Sequence, residues 1–208
     1  MAGKSPKTFT DLSRVVFKRF LDPIAGFLNR LGLRPNTVTL IGLLGQIVGA
    51  YFLAIGKISV GGIIILFMAP IDALDGTMAR LRGESTTFGA FIDSVTDRYS
   101  ELVLFFGLLV YYINYVHPID WIACIVLYLA AAGSMLVSYT RSRAETLGFD
   151  AKIGLLSRFE RYLILIPSLI FNRPMIALWI LAIFTNLTAI QRILHVRNQY
   201  WKQQSKNE

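Results

Sequence analysis

The chain has 208 residues, of which 54% are hydrophobic and only 16% charged, and its mean hydropathy is +0.54. Soluble domains of this length run nearer a quarter charged, so the composition excludes an ordinary soluble protein and predicts an all-α integral membrane protein, one domain over 1–208. The net charge of +8 does not point to nucleic acid, because the basic residues stand beside apolar runs and form no basic-aromatic soluble module.

The first residues, MAGKSPKTFTDLSR, are polar and do not read as a cleaved leader. Over 8–31, Leu12, Val16, Phe20, Ile24, Phe27 and Leu31 recur at three- and four-residue steps, while Arg14, Lys18 and Arg30 fall mostly elsewhere. This predicts an amphipathic helix lying in the membrane interface, the alternative being a helix packed on the bundle. Six apolar segments follow, near 37–55, 59–79, 88–115, 120–140, 159–172 and 174–194. A span needs about 20 apolar residues, so six transmembrane helices over 37–194 are expected, the fifth being short. A polar, mobile tail over 196–208 completes the chain.

The basic residues set the orientation. With a cytoplasmic N-terminus, the N-terminal arm, the second-to-third loop, the fourth-to-fifth loop (Arg141, Arg143, Lys152, Arg158, Arg161) and the C-terminal end (Arg192, Arg197, Lys202, Lys206) hold 18 of the 21 Lys and Arg. Lys57 and Arg173 fall outside, and Arg98 lies within the third span. The positive-inside rule therefore places both termini on the cytoplasmic side of the cell membrane. Gly42, Gly45 and Gly49 share one face of the first span and predict close helix packing. Cys124, the only cysteine, sits in an apolar run and reads as packing.

Acids in such spans are the informative feature. Asp72, Asp75, Asp93, Asp97 and Glu101 fall within or at the ends of the second and third segments. Each carboxylate at membrane depth costs roughly 2.5–3.5 kcal/mol on insertion scales, so their accumulation calls for a function. Asp72 and Asp75 are three apart, Asp93 and Asp97 four apart, so each pair shares a helix face. The short loop 81–87 brings both pairs to the same cytoplasmic end. Four carboxylates there repel unless cations neutralise them, and an all-oxygen donor set favours Mg²⁺, with Mn²⁺ as the alternative. Two ions bridging phosphate oxygens are the natural chemistry. Gly76 and Ala79 leave room for a diphosphate, Arg80 offers it a guanidinium, and Pro70 is placed to kink the second helix. The competing structural reading is a set of ion pairs with Arg80, Arg82 and Arg98.

Residues 72–97 read DALDGTMARLRGESTTFGAFIDSVTD. This string fits D-x2-D-G-x2-A-R-x8-G-x3-D-x3-D at Asp72, Asp75, Gly76, Ala79, Arg80, Gly89, Asp93 and Asp97, and it resembles the CDP-alcohol phosphotransferase family. The resemblance implies an enzyme that moves a phosphatidyl group from CDP-diacylglycerol to an alcohol and releases CMP. It implies that Asp72, Asp75 and Asp93 are metal ligands and that Asp97 is both ligand and base for the acceptor hydroxyl. Gly76, Arg80 and Thr86 would contact the CDP moiety, and Asn36, Thr37, Val38 and Thr39 would close over the nucleotide. A homodimer is implied by the family alone.

Two further stretches, VSYTRSRAETLG and GLLSRFERYLIL, resemble the prokaryotic phosphatidylinositol phosphate synthase branch, whose motifs read SY-x-K-A-R-A-E and E-R-P-E-R. Arg141, Arg143, Arg158 and Arg161 would then gather beside the carboxylates and hold the phosphate of inositol phosphate with paired donors; the plainer reading makes them topology determinants only. Arg141 stands where the branch has Lys, and Phe159 where it has Pro, which weakens the acceptor assignment more than the reaction class. The alternatives are a glycerol 3-phosphate acceptor, giving phosphatidylglycerophosphate, and an archaeal-type lipid donor with the same acceptor. Members of the glycerol 3-phosphate branch carry D-P-x-A-D-K where this chain has DSVTDR. An acid-lined cation transporter is the remaining alternative. It requires a polar path to the outer face, which IIILF and VLFFGLLV do not offer.

Overall fold

Every regular element is a helix among the residues described by the computed structural model, 21–84 and 86–205 with the side chains of Asp72 and Ala73 excepted. The helices are α1 (21–30 of a segment whose start lies outside the described residues), α2 (Pro35–Ala54), α3 (Ile58–Met68), α4 (Ile71–Arg82), α5 (Thr87–Tyr115), α6 (Trp121–Thr146), α7 (Arg158–Ile170) and α8 (Pro174–Gln204). By length and composition α2, α6 and α8 are apolar enough to cross a membrane. Their large apolar side chains turn outward: Leu40, Leu44 and Tyr51 on α2, Ile122 and Ile125 on α6, and Ile183 and Ile190 on α8 are all exposed. Small residues and mid-sized aliphatics fill the interior instead. Such an inverted surface suits a lipid environment, where no water rewards a polar exterior.

The second apolar segment differs from expectation. It is two helices, α3 and α4, broken at Ala69–Pro70. Proline has no N–H to donate and its ring clashes with the carbonyl four residues back, so the anticipated kink becomes a full break. The consequence is a fresh helix N-terminus just ahead of Asp72 and Asp75, where the helix dipole favours negative charge. α4 ends at Gly83, whose φ of 68° is left-handed. There the Gly83 and Glu84 N–H groups return to the Arg80 and Ala79 carbonyls, closing the helix end.

Two other boundaries move. α6 continues to Thr146, and α7 opens at Arg158, so Arg141, Arg143, Arg158 and Arg161 all stand on helices and not in the loop between them. The polar segment expected as a tail is helical as far as Gln204, because residues such as Gln199 and Lys202 sustain a helix in water and Gln199 is also anchored to the chain.

The chain forms two compact units, one from residues up to Gly45 together with Phe67–Asp97, the other from Gln46–Leu66 together with Arg98 onward. The first is built around Leu21, Ala25, Val38, Leu74 and Met78, with Leu28, Leu33 and Ile71 packed against them. On α1 the buried face is therefore Leu21 and Ala25, while Ile24, Phe27 and Leu31, half of the stripe expected over 8–31, are exposed. The rest of that stripe lies outside the described residues. Arg82 latches this unit: Nε donates to Asn29 Oδ1 at 2.7 Å and Nη2 to the Leu33 carbonyl at 2.7 Å. It is thus engaged with α1 and the turn after it.

In the second unit α6 and α7 pack on α8. Glycines set the closest approaches. A Cβ on Gly107 would lie 2.5 Å from the Ala50 carbonyl oxygen, and one on Gly49 would lie 2.7 Å from Ile65. The expected glycine face of α2 accordingly serves packing, with Gly45 facing Met68 in the first unit and Gly49 facing Ile65 in the second.

Candidate active site

The first unit carries the residues of the D-x2-D-G-x2-A-R stretch on α4 and those of the G-x3-D-x3-D stretch on the opening turns of α5. Asp75 is buried, 5% exposed. The Thr39 hydroxyl on α2 donates to its Oδ2, and the Gly76 N–H donates to its Oδ1. Both oxygens of a carboxylate that would otherwise be free to rotate are thereby fixed. Thr39 is itself buried, and its hydroxyl also reaches the Pro35 carbonyl at 3.2 Å. The opening turn of α2 is in this way tied to the acid on α4.

Gly76 presents a flat surface. Among the described side chains a Cβ there would meet only Arg80 Nη1, at 3.6 Å. The Arg80 guanidinium is steadied from below by Nη2 donating to Thr77 Oγ1 at 2.9 Å, and the residue is exposed. A bare helix face beside a braced guanidinium is suited to a diphosphate. Thr86 caps α5, its Oγ1 accepting from the Gly89 N–H at 3.0 Å. A Cβ on Gly89 would lie 3.1 Å from that hydroxyl and 3.8 Å from Asn36 Oδ1, so the starts of α2 and α5 meet here.

Asp93 and Asp97 are half-buried on one face of α5. Asp72 lies in the first turn of α4, its side chain outside the description. Among the described side chains no three metal-ligating groups converge on one point. The set Asp72, Asp75, Asp93 and Asp97 is all carboxylate, with no imidazole or thiolate, and Asp75 is held in a fixed orientation by neutral donors. That chemistry fits a hard divalent cation.

The expected acceptor residues are in the second unit. Arg161 is 2% exposed and bound side-on to Glu101: Nε donates to Oε1 at 2.6 Å and Nη2 to Oε2 at 2.9 Å. Its Nη1 is buried without a hydrogen-bond partner among the described residues. Arg141 pairs with Glu145 on the half-exposed end of α6, at 2.9 Å. Arg158 lies over the Tyr162 ring, 5.4 Å from its centroid, and Arg143 is exposed. Arg141 and Arg161 both come within electrostatic reach of Arg192, as does Glu145.

Two residues here are not singled out by the sequence. Glu101 is one acid among the five with no partner evident, and Arg192 stands with the basic residues of the C-terminal end. Arg192 is 5% exposed on α8, with Nε donating to the Ile153 carbonyl at 2.8 Å and Nη1 to the Val137 carbonyl. An arginine at the end of an apolar segment, followed directly by Ile193 and Leu194, was the available signal. Around it the α6–α7 loop is docked on α8: Thr188 Oγ1 accepts from Leu155 and Leu156 N–H at 3.2 Å, and Gln199 bonds the Asp150 backbone in both directions.

The model of the CDP-alcohol phosphatidyltransferase family matches residues 33–193. The chain belongs to that family. Among CDP-alcohol phosphatidyltransferases it is 36% identical over 202 residues to the phosphatidylinositol phosphate synthase of Streptomyces avermitilis, covering 90% of this chain and 82% of the relative. It is 34% identical over 183 residues to the archaetidylinositol phosphate synthase of Pyrococcus horikoshii, covering 88% and 93%. The crystal structure of Mycobacterium tuberculosis phosphatidylinositol phosphate synthase with CDP-DAG bound superposes with a TM-score of 0.78 at 33% identity, covering 86% of this chain and 94% of that one. The same mycobacterial enzyme in complex with manganese and citrate gives a TM-score of 0.79 at 32% identity, covering 85% and 88%.

Proposed function

We propose that the protein transfers the phosphatidyl group of CDP-diacylglycerol to inositol phosphate, giving phosphatidylinositol phosphate and CMP. The observation that carries the reaction class is the Asp75 arrangement: a buried carboxylate fixed by Thr39 and Gly76, beside a bare helix face and the braced guanidinium of Arg80. The names of the relatives support the inositol phosphate acceptor.

Asp72, Asp75, Asp93 and Asp97 would hold Mg²⁺, two ions in our reading, with Mn²⁺ able to replace it. When bound, such ions neutralise the donor diphosphate and make CMP a better leaving group. Arg80 and the open face at Gly76 receive the diphosphate. Asn36, Thr37 and Thr86, which are exposed, border the nucleotide, while Thr39 acts through Asp75 and Val38 is packed in the core beneath them. Asp97 accepts the proton of the attacking hydroxyl, a role that needs a carboxylate ionised at working pH. Arg141, Arg143, Arg158 and Arg161 serve the acceptor phosphate, and we add Arg192, whose burial beside two further cations is best relieved by an anion.

The membrane reading extends to six spans, α3 with α4 forming the second, and to an interfacial helix at the N-terminus whose exposed Ile24, Phe27 and Leu31 meet lipid. Both termini face the cytoplasm by the distribution of Lys and Arg.

Purified protein supplied with CDP-diacylglycerol and Mg²⁺ releases CMP when inositol phosphate is added and scarcely with free inositol or glycerol 3-phosphate. Release with glycerol 3-phosphate alone sinks the inositol phosphate assignment. The similarity to the Pyrococcus enzyme favours one second reading, an archaeal-type lipid donor. Faster CMP release from CDP-archaeol than from CDP-diacylglycerol would establish it.

A further inference from the structure

We propose that Glu101 is a positioning residue for the acceptor phosphate, acting through Arg161. The inference rests on the reading of Arg161 as an acceptor-phosphate ligand and says how that side chain is made ready. Glu101 occupies two of the three guanidinium nitrogens, Nε at 2.6 Å and Nη2 at 2.9 Å, in a geometry that leaves the planar group no freedom to turn. The third nitrogen, Nη1, is fully buried and has no hydrogen-bond partner among the described residues. A buried donor left unmade is costly, and native structures keep few of them without a reason. Here the reason is a ligand oxygen.

Charge supports the same conclusion. Arg161 and Glu101 cancel each other, so the pair alone offers an anion little net attraction. Arg192 lies within electrostatic range of Arg161 and places its own donors on backbone carbonyls, while Arg141 and its partner Glu145 act on Arg192 with opposite sign. Arg192 therefore supplies the field, and Arg161 supplies a donor of fixed direction. Glu101 contributes the fixing. A glutamine in its place would lose the charge and one of the two acceptors, whereas an aspartate would keep both and fall short in reach.

The test compares Glu101→Gln with the unaltered enzyme, varying the phosphorylated alcohol at saturating CDP-diacylglycerol and Mg²⁺. The acceptor KM rises about tenfold or more, while kcat and the donor KM stay within about twofold, the pattern of lost binding shared by ground and transition states. Glu101→Asp falls between the two. In an Arg161→Ala background Glu101→Gln has no further effect on acceptor KM, because the two residues act as one unit. An unchanged acceptor KM, an additive effect in the Arg161→Ala background, or a parallel decline of every parameter with the melting temperature overturns the proposal. If Glu101→Gln does not fold, Glu101→Asp is used, with inorganic phosphate as the probe: phosphate raises the melting temperature of the unaltered protein and raises that of the variant less. Equal stabilisation of both, or failure of both variants to fold, assigns the pair to structure alone. No CMP release with inositol phosphate from the unaltered enzyme defeats the acceptor reading and leaves this one testable, since the same comparison runs with glycerol 3-phosphate.

Discussion

Thr39 and Asp75, 36 residues apart in sequence, form a buried hydroxyl-to-carboxylate hydrogen bond that joins the start of α2 to the first turns of α4. The bond orients Asp75, which is what an outer-shell donor does for a metal-ligating carboxylate.

Removing that donor should therefore hurt metal use more than folding. Thr39→Val keeps the shape and loses the hydroxyl, and we expect activity at limiting Mg²⁺ to fall by about 10- to 100-fold, the usual cost of an outer-shell loss. Raising Mg²⁺ recovers part of it, and Thr39→Ser stays close to the unaltered enzyme. A Mg²⁺ titration of CMP release measures all three.

Gly76 separates stability from function. Among the described side chains alanine there meets only Arg80 Nη1, at an ordinary contact distance, and in a helix alanine is favoured over glycine by about 1 kcal/mol. Gly76→Ala should melt at the same temperature or higher, yet bind donor more weakly because the methyl fills the bare face. Thermal unfolding in detergent and the KM for CDP-diacylglycerol give the two readings.

The aspartates were legible because carboxylates have no cheap place in an apolar span, and helical periodicity alone puts 72 with 75 and 93 with 97 on shared faces. Pro70 was legible as a disturbance. How far it reached was not, since only the surrounding packing decides between a kink and two helices. The pairing of Glu101 with Arg161 spans 60 residues and follows no local pattern. Arg192 looked like a topology charge because nothing in its neighbours reveals the Ile153 and Val137 carbonyls it meets. Helix ends were misjudged for a related reason: the arginines of α6 and α7 are polar and read as loop, while their backbones continue the helix.

An all-carboxylate donor set predicts a selective response to metals. Chelation should abolish CMP release, and Mg²⁺ or Mn²⁺ should restore it, whereas Zn²⁺, which prefers nitrogen and sulfur ligands, should not. Full activity after exhaustive chelation, checked by elemental analysis of the protein, would remove the metal from the reaction.

Asp97→Asn is nearly isosteric and deletes the proposed base. Loss of a general base costs typically 10²- to 10⁴-fold, and loss of a ligand adds to it, so turnover should vanish from ordinary assays. The variant should keep the melting temperature of the parent within a few degrees. Retained turnover would assign proton removal to another group.

Packing in the second unit makes a prediction independent of chemistry. A Cβ on Gly107 would sit 2.5 Å from the Ala50 carbonyl oxygen and 3.1 Å from its Cα, so the obstacle is backbone and no side-chain rotation relieves it. Gly107→Ala should force α2 and α5 apart locally and destabilise the protein by about 1–3 kcal/mol, the usual range for overpacking. Gly26→Ala is the matched control, since a Cβ on that helical glycine meets nothing within 4 Å. There the gain in helix propensity acts alone, and stability should hold or rise by up to about 1 kcal/mol. Denaturation of both variants in the same detergent compares the two directly, and an equal response would mean that α2 and α5 do not approach as closely at Gly107 as the structure has them.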